Sequence, residues 1–119
     1  LQALKTNDFV YLPVEASDAA GHEGNVDQKI KTIEYLDKRA IKPIFETLQT
    51  WDEPVAIAVL PDHPTPCSIR THTNEPIPFI IYKPGQTPDA VQRYDEYAAK
   101  EGYYGELKED EFMREFLKD

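Results

Sequence analysis

Apolar residues along this chain fall into two patterns, unbroken short runs and positions spaced three or four apart. Phe9-Val10-Tyr11-Leu12-Pro13-Val14 is a run with no helical period, and it predicts a buried strand with Pro13 near its end. Val26, Ile30, Ile33, Ala40, Ile41, Ile44 and Leu48 recur at helical steps. They predict a long amphipathic helix with Asn25 as its N-cap, kinked or ended early by Pro43. Val55-Ala56-Ile57-Ala58-Val59-Leu60 is apolar on both faces, as in a strand covered by helices on each side. The stretch 61–78 holds five prolines and little periodicity, so it reads as loop. Phe79-Ile80-Ile81-Tyr82 predicts a third strand, and Pro84-Gly85 a turn. Thr87 with Pro88 at the first position predicts a helix edged by Val91, Tyr94 and Ala98. Phe112, Met113, Phe116 and Leu117 mark a short terminal helix.

Strands alternating with helices imply an α/β sheet with crossover connections. Ligands in such sheets gather beyond the carboxyl ends of strands. With 119 residues and no internal repeat or linker, the chain reads as a single domain, residues 1–119, large enough to bury a substantial core.

Charge and cysteine content narrow the function classes. A net charge of -9 disfavours nucleic acid or an anionic membrane as partner. It leaves a phosphorylated substrate open, because bound divalent cations reverse the local field. The single cysteine, Cys67, cannot form an internal disulfide and fits a reduced, cytoplasmic setting. No apolar run approaches the ~20 residues needed to span a bilayer, and no signal peptide is visible. Oligomeric state leaves no trace in the pattern.

The three histidines of the chain all sit near acidic residues in two compact clusters. Asp18 and His22 lie four apart in a predicted loop after the first strand, where Gly21 lets the backbone fold tightly. Asp62 and His63 end the second strand, and His72 returns after a proline-stiffened loop. Imidazole and carboxylate together form the ligand set for Zn, Mn, Fe and related ions. Five ligands exceed the set of a single catalytic zinc and suit two ions ~3.5–4 Å apart, the arrangement of phosphoryl transfer. Adjacent side chains diverge, so Asp62 and His63 are expected to serve one ion from two sides or to reach toward a second. Each element also has a plainer reading: Asp62-His63 as a turn cap, His72 as a hydrogen-bonded loop residue, Arg70 as a surface ion pair rather than a phosphate contact. Cys67 has no spare histidine to activate it as a nucleophile.

The motif Val14-Glu15-Ala16-Ser17-Asp18-Ala19-Ala20-Gly21-His22-Glu23-Gly24 resembles that of the archaeal-type cofactor-independent phosphoglycerate mutases of the alkaline phosphatase superfamily. So do Leu60-Pro61-Asp62-His63-Pro64-Thr65-Pro66, Arg70-Thr71-His72-Thr73 and Pro76-Ile77-Pro78-Phe79. The resemblance implies a three-layer αβα sandwich with a mostly parallel sheet flanked by helices. It implies interconversion of 3-phosphoglycerate and 2-phosphoglycerate through a phosphoserine, with two divalent ions (Mn, Mg, Zn or Co). Carried over by motif, Asp18, His22 and His72 would hold one ion, and Asp62 and His63 the other. The family's nucleophilic serine and substrate-binding arginines have no counterpart motif in these residues. Ser17 and Ser68 flank the clusters but stand outside that motif. The chain therefore reads as the C-terminal portion of the metal-binding domain of a longer enzyme, with the nucleophile upstream and no activity of its own. The competing readings are another metal-dependent phosphatase or phosphonate hydrolase of the same superfamily, and a metal-binding domain without catalysis.

Overall fold

A computed structural model describes residues 1–119. The chain divides into two compact units, Leu1–Trp51 with Thr65–Thr73, and Asp52–Pro64 with Asn74–Asp119. No helix is long and apolar enough to cross a membrane.

The first unit is helical. After a 3-10 turn at Ala3–Lys5, helix α1 spans Ala16–His22. Its alanines at 16, 19 and 20 favour helix because they lose no side-chain entropy on folding. A Schellman motif ends it: Asn25 N–H donates to the Ala20 carbonyl at 3.0 Å and Gly24 N–H to the Gly21 carbonyl at 3.0 Å. Gly24 at φ 69° supplies the left-handed residue this closure requires. Helix α2, Val26–Leu36, begins at once, with the Asn25 side chain accepting from Gln28 N–H at 3.0 Å. That is the predicted N-cap. The chain stays helical through a π-type stretch at Asp37–Ile41 into α3, Lys42–Leu48. Pro43 thus neither breaks nor ends the helix early. Its missing N–H and its ring disturb the preceding turn, where Lys42 N–H reaches back to the Asp37 carbonyl in the wider π register.

The second unit carries strands β1, Ile57–Val59, and β2, Ile80–Tyr82. They pair antiparallel with Ala58 opposite Ile81. The elements are the predicted ones, shortened, but this pairing is not the parallel crossover the pattern suggests. The proline-rich connection contains no crossover helix between them, and a parallel partner needs one. Helix α4, Glu111–Leu117, forms where the terminal apolar residues lie. Phe79 meets the Phe112 ring edge-on at 5.2 Å and the Tyr104 ring at 5.9 Å, so the Tyr103-Tyr104 pair contributes packing here. Burial first, then Glu115 and Tyr103, pushes the Tyr104 hydroxyl pKa above its ordinary value.

Two predicted elements do not form. Residues 9–14 hold no regular structure, and Tyr11 and Leu12 are 74% and 62% exposed. A strand needs a paired neighbouring strand, and the sheet consists of Ile57–Val59 and Ile80–Tyr82. The helix predicted from Thr87 is replaced by turns and a 3-10 turn at Ala98–Glu101. Asp89 captures Val91 N–H at 3.0 Å and Tyr103 N–H at 2.9 Å, and Asp95 captures the N–H groups of Tyr97 and Ala98. These carboxylates offer the backbone an alternative to the helical ladder. The core is also smaller than the chain length predicts. Ala20 and Leu48 are the buried apolar residues, while Val26, Ile30 and Ile33 of α2 remain about half exposed.

Candidate metal centre

His22 stands one helical turn after Asp18, so both project from one face of α1. This corrects the predicted loop: the pair is preorganised by helix geometry. Gly21 is also not a flexible joint. A Cβ there would overlap the Thr65 carbonyl oxygen and lie 2.9 Å from Thr65 Cγ2. Its bare Cα lets the segment Thr65–Thr73 lie directly against α1.

That segment delivers the third donor. Pro66 opens a tight turn, with Ile69 and Arg70 N–H groups donating to its carbonyl at 3.0 and 2.8 Å. Arg70 closes the turn at φ 61°, a left-handed conformation that costs a non-glycine residue roughly 1–2 kcal/mol. The turned chain puts the Arg70 carbonyl 3.1 Å from His22 Nδ1. A carbonyl only accepts, so Nδ1 carries the proton and Nε2 offers its lone pair. Two residues later His72 brings its own Nε2 to 3.1 Å from that of His22. The Asp18 carboxylate completes the group, Oδ2 at 3.4 Å from His22 Nε2 and Oδ1 at 3.2 Å from His72 Nε2. The side chains are between 37% and 49% exposed, open to an entering ion.

Asp18, His22 and His72 each offer one ligand atom, and these atoms lie within 4.8 Å of one another. The edge of a tetrahedron with ~2.05 Å metal–ligand bonds is ~3.3 Å, and that of an octahedron with ~2.1 Å bonds is ~3.0 Å. The 3.1 Å between the two imidazole nitrogens falls between those edges, and each nitrogen lies 3.2–3.4 Å from one of the two Asp18 carboxylate oxygens. Two nitrogens and an anionic oxygen form a borderline donor set suited to first-row divalent ions. The residues present therefore fit such an ion.

Asp62 and His63 follow β1 in the other unit. They do not diverge as predicted. Asp62 Oδ1 accepts from His63 N–H at 3.0 Å, and Oδ2 lies 3.3 Å from His63 Nε2. The carboxylate folds back over its own backbone, which turns both side chains the same way. Asp62 is 79% exposed at its side chain.

Residues the pattern analysis passed over hold this site in shape. Thr65, only 4% exposed, donates its hydroxyl to Asp18 Oδ1 at 2.7 Å. Lys29 of α2 donates to the Thr65 carbonyl at 2.6 Å. Thr65 stands two residues after His63 in a recognised motif, the one signal that could have found it. Ser17 and Cys67 are partly buried and Ser68 is exposed.

The sequence profile of the Metalloenzyme superfamily matches residues 1–114. The chain is 46% identical over 114 residues to a 2,3-bisphosphoglycerate-independent phosphoglycerate mutase of Methanosarcina barkeri, covering 95% of this chain and 29% of that protein. It is 42% identical over 114 residues to a probable enzyme of the same name from Geobacter sulfurreducens, covering 94% of this chain and 28% of that one. A solved protein structure from Pyrococcus horikoshii superposes with a TM-score of 0.74 at 37% identity, covering 87% of this chain and 31% of that chain. The chain thus spans less than a third of the length of the relatives it matches.

Proposed function

This chain belongs to the Metalloenzyme superfamily, and on that premise we propose that it supplies part of the metal-binding half of a cofactor-independent phosphoglycerate mutase. The enzyme would interconvert 3-phosphoglycerate and 2-phosphoglycerate through a phosphoserine. The observation that carries the reading is the convergence of Asp18, His22 and His72, together with the relatives' shared name.

In this reading Asp18, His22 and His72 hold one divalent ion, and Asp62 and His63 contribute to a second. Mn, Mg, Zn and Co all suit such donors. Bound ions of this kind stabilise charge on the attacking and leaving oxygens of phosphoryl transfer. The chain's own residues do the positioning. Helix α1 sets the spacing of Asp18 and His22, the Arg70 carbonyl keeps the proton of His22 on Nδ1, and the Pro66–Arg70 turn brings His72 in. The nucleophilic serine and the groups that hold the substrate carboxylate belong to the longer protein, of which this chain is a C-terminal portion. The same proposal accounts for the exposed apolar residues of 9–14 and of α2. They belong to a larger three-layer αβα sandwich with a mostly parallel sheet, whose remaining layers cover them. An acidic chain of this kind takes neither nucleic acid nor membrane as partner, and a cytoplasmic setting suits it.

The test is metal titration followed by turnover. Mn or Zn added to the chain should bind at one tight site that Asp18→Asn and His72→Ala both weaken. The longer enzyme should convert 3-phosphoglycerate to 2-phosphoglycerate. Release of inorganic phosphate without isomerisation would make it a phosphatase of the same superfamily. Metal binding unchanged in both variants would remove the reading of the site.

A further inference from the structure

The Thr65 hydroxyl is the best-sheltered polar contact of the candidate centre. Its residue is 4% exposed, whereas the ligand side chains around it are 37–49% exposed. It donates at 2.7 Å to Asp18 Oδ1, the same oxygen that lies 3.2 Å from His72 Nε2. A carboxylate turns freely about its last bond unless one oxygen is anchored. Anchoring Oδ1 on a buried donor leaves one carboxylate oxygen facing each imidazole: Oδ1 toward His72 and Oδ2 toward His22. The donor is itself held from three sides. Lys29 Nζ grips its carbonyl at 2.6 Å, Gly21 gives it room against α1, and Pro66 stiffens the bond that follows.

We propose that Thr65 is a positioning residue for the metal centre, which acts through Asp18 by fixing the plane of its carboxylate, with Lys29 as the brace that holds Thr65 in place. This rests on the reading of Asp18, His22 and His72 as ligands of a divalent ion. The hydroxyl is spent on Asp18 Oδ1 and acts through that carboxylate. It removes the torsional freedom that Asp18 would otherwise lose on binding, so its effect falls on affinity. Partners of metal ligands at this remove commonly change affinity by about 10–100-fold when lost.

Thr65→Val keeps the volume and the branched shape but deletes the donor. Thr65→Ser keeps the donor and deletes a methyl group. Mn and Zn affinities of the chain are measured by calorimetry for the parent, Thr65→Val, Thr65→Ser, Lys29→Met and His72→Ala. The melting temperature of each is taken in chelator. Thr65→Val should weaken binding by about 10–100-fold and Lys29→Met by a smaller factor, whereas Thr65→Ser should bind within about threefold of the parent. A purely structural Thr65 would instead be rescued by Val, which preserves the packing, rather than by Ser. Val binding metal like the parent, or Ser binding as weakly as Val, overturns the proposal. If Thr65→Val does not fold, Thr65→Ser and Lys29→Met decide it: weak binding by Ser, or parental affinity in Met, counts against it. His72→Ala separates the two levels. Parental affinity in that variant overturns the site itself, whereas weak binding there alongside parental affinity in Thr65→Val overturns only the role of Thr65.

Discussion

The Nε2 atoms of His22 and His72 stand 3.1 Å apart although the residues are 50 positions distant in the chain. With the His22 proton held on Nδ1 by the Arg70 carbonyl, its Nε2 lone pair points at the His72 ring. The Asp18 carboxylate faces the same point. Two imidazole nitrogens and a carboxylate gain most from this closeness when a cation stands among them.

His72→Ala is the direct probe of that relationship. His72 is exposed and sits in irregular chain after the turn, so its removal opens no cavity, and the melting temperature in chelator should stay within about 2 °C of the parent. Saturating Mn at about 100 times Kd raises parental stability by roughly 2.7 kcal/mol through linkage. In the variant that rise should largely vanish. Thermal melts with and without Mn report both quantities.

Gly21→Ala sets two effects against each other. Alanine favours a helix interior over glycine by roughly 1 kcal/mol. The new methyl group would meet the Thr65 carbonyl oxygen and Cγ2, and overpacking of this kind costs about 1–3 kcal/mol. Backbone cannot swing aside as a side chain can, so the clash should win. Denaturant unfolding should show net destabilisation, and metal affinity should fall because Thr65 is displaced from Asp18.

Arg70 tests whether its carbonyl or its guanidinium matters. Arg70→Gly keeps the carbonyl and adopts φ 61° without strain, so metal affinity should be preserved. Arg70→Val cannot hold that conformation readily, and a relaxed backbone would turn the carbonyl away from His22 Nδ1. Affinity should drop by about tenfold or more, as for other partners of metal ligands. Calorimetry on the two variants checks the ordering, and an equal loss of affinity in both would assign the effect to the guanidinium, which both lack.

Tyr94 sets an alkaline limit on the second unit. Burial, and then the charge of Glu96, pushes its hydroxyl pKa up from 10.0 to about 12. The hydroxyl donates to the Pro78 carbonyl at 3.2 Å, a bond that ionisation destroys. The folded form holds the proton more tightly than the unfolded form. The stabilising contribution is therefore complete below pH 10.0 and is lost as pH rises through about 12. Tyr94→Phe should flatten the fall in denaturant midpoint across that window, and ultraviolet titration should show a late-ionising tyrosine component that Tyr94→Phe removes.

Local patterning determined α2 with its Asn25 cap, α4, and the cores of β1 and β2, because spacing and capping act over a few neighbouring residues. The histidine and carboxylate clusters were equally visible, since all three histidines of the chain sit near acidic residues. Tertiary structure decided the rest. Residues 9–14 form no strand because pairing depends on a neighbour that local sequence cannot specify. Asp89 and Asp95 diverted the backbone from the helix that Thr87 predicts, since a side-chain acceptor competes with the helical ladder only when the chain turns to meet it. Asp18 and His22 proved to share a helix face because the alanine-rich run around them outweighs one glycine. The close approach of Thr65 to Gly21, the reach of the Arg70 carbonyl to His22 Nδ1 and the meeting of His22 with His72 are contacts across dozens of residues. No periodicity encodes such contacts, because they arise only when the proline-stiffened turn packs against α1.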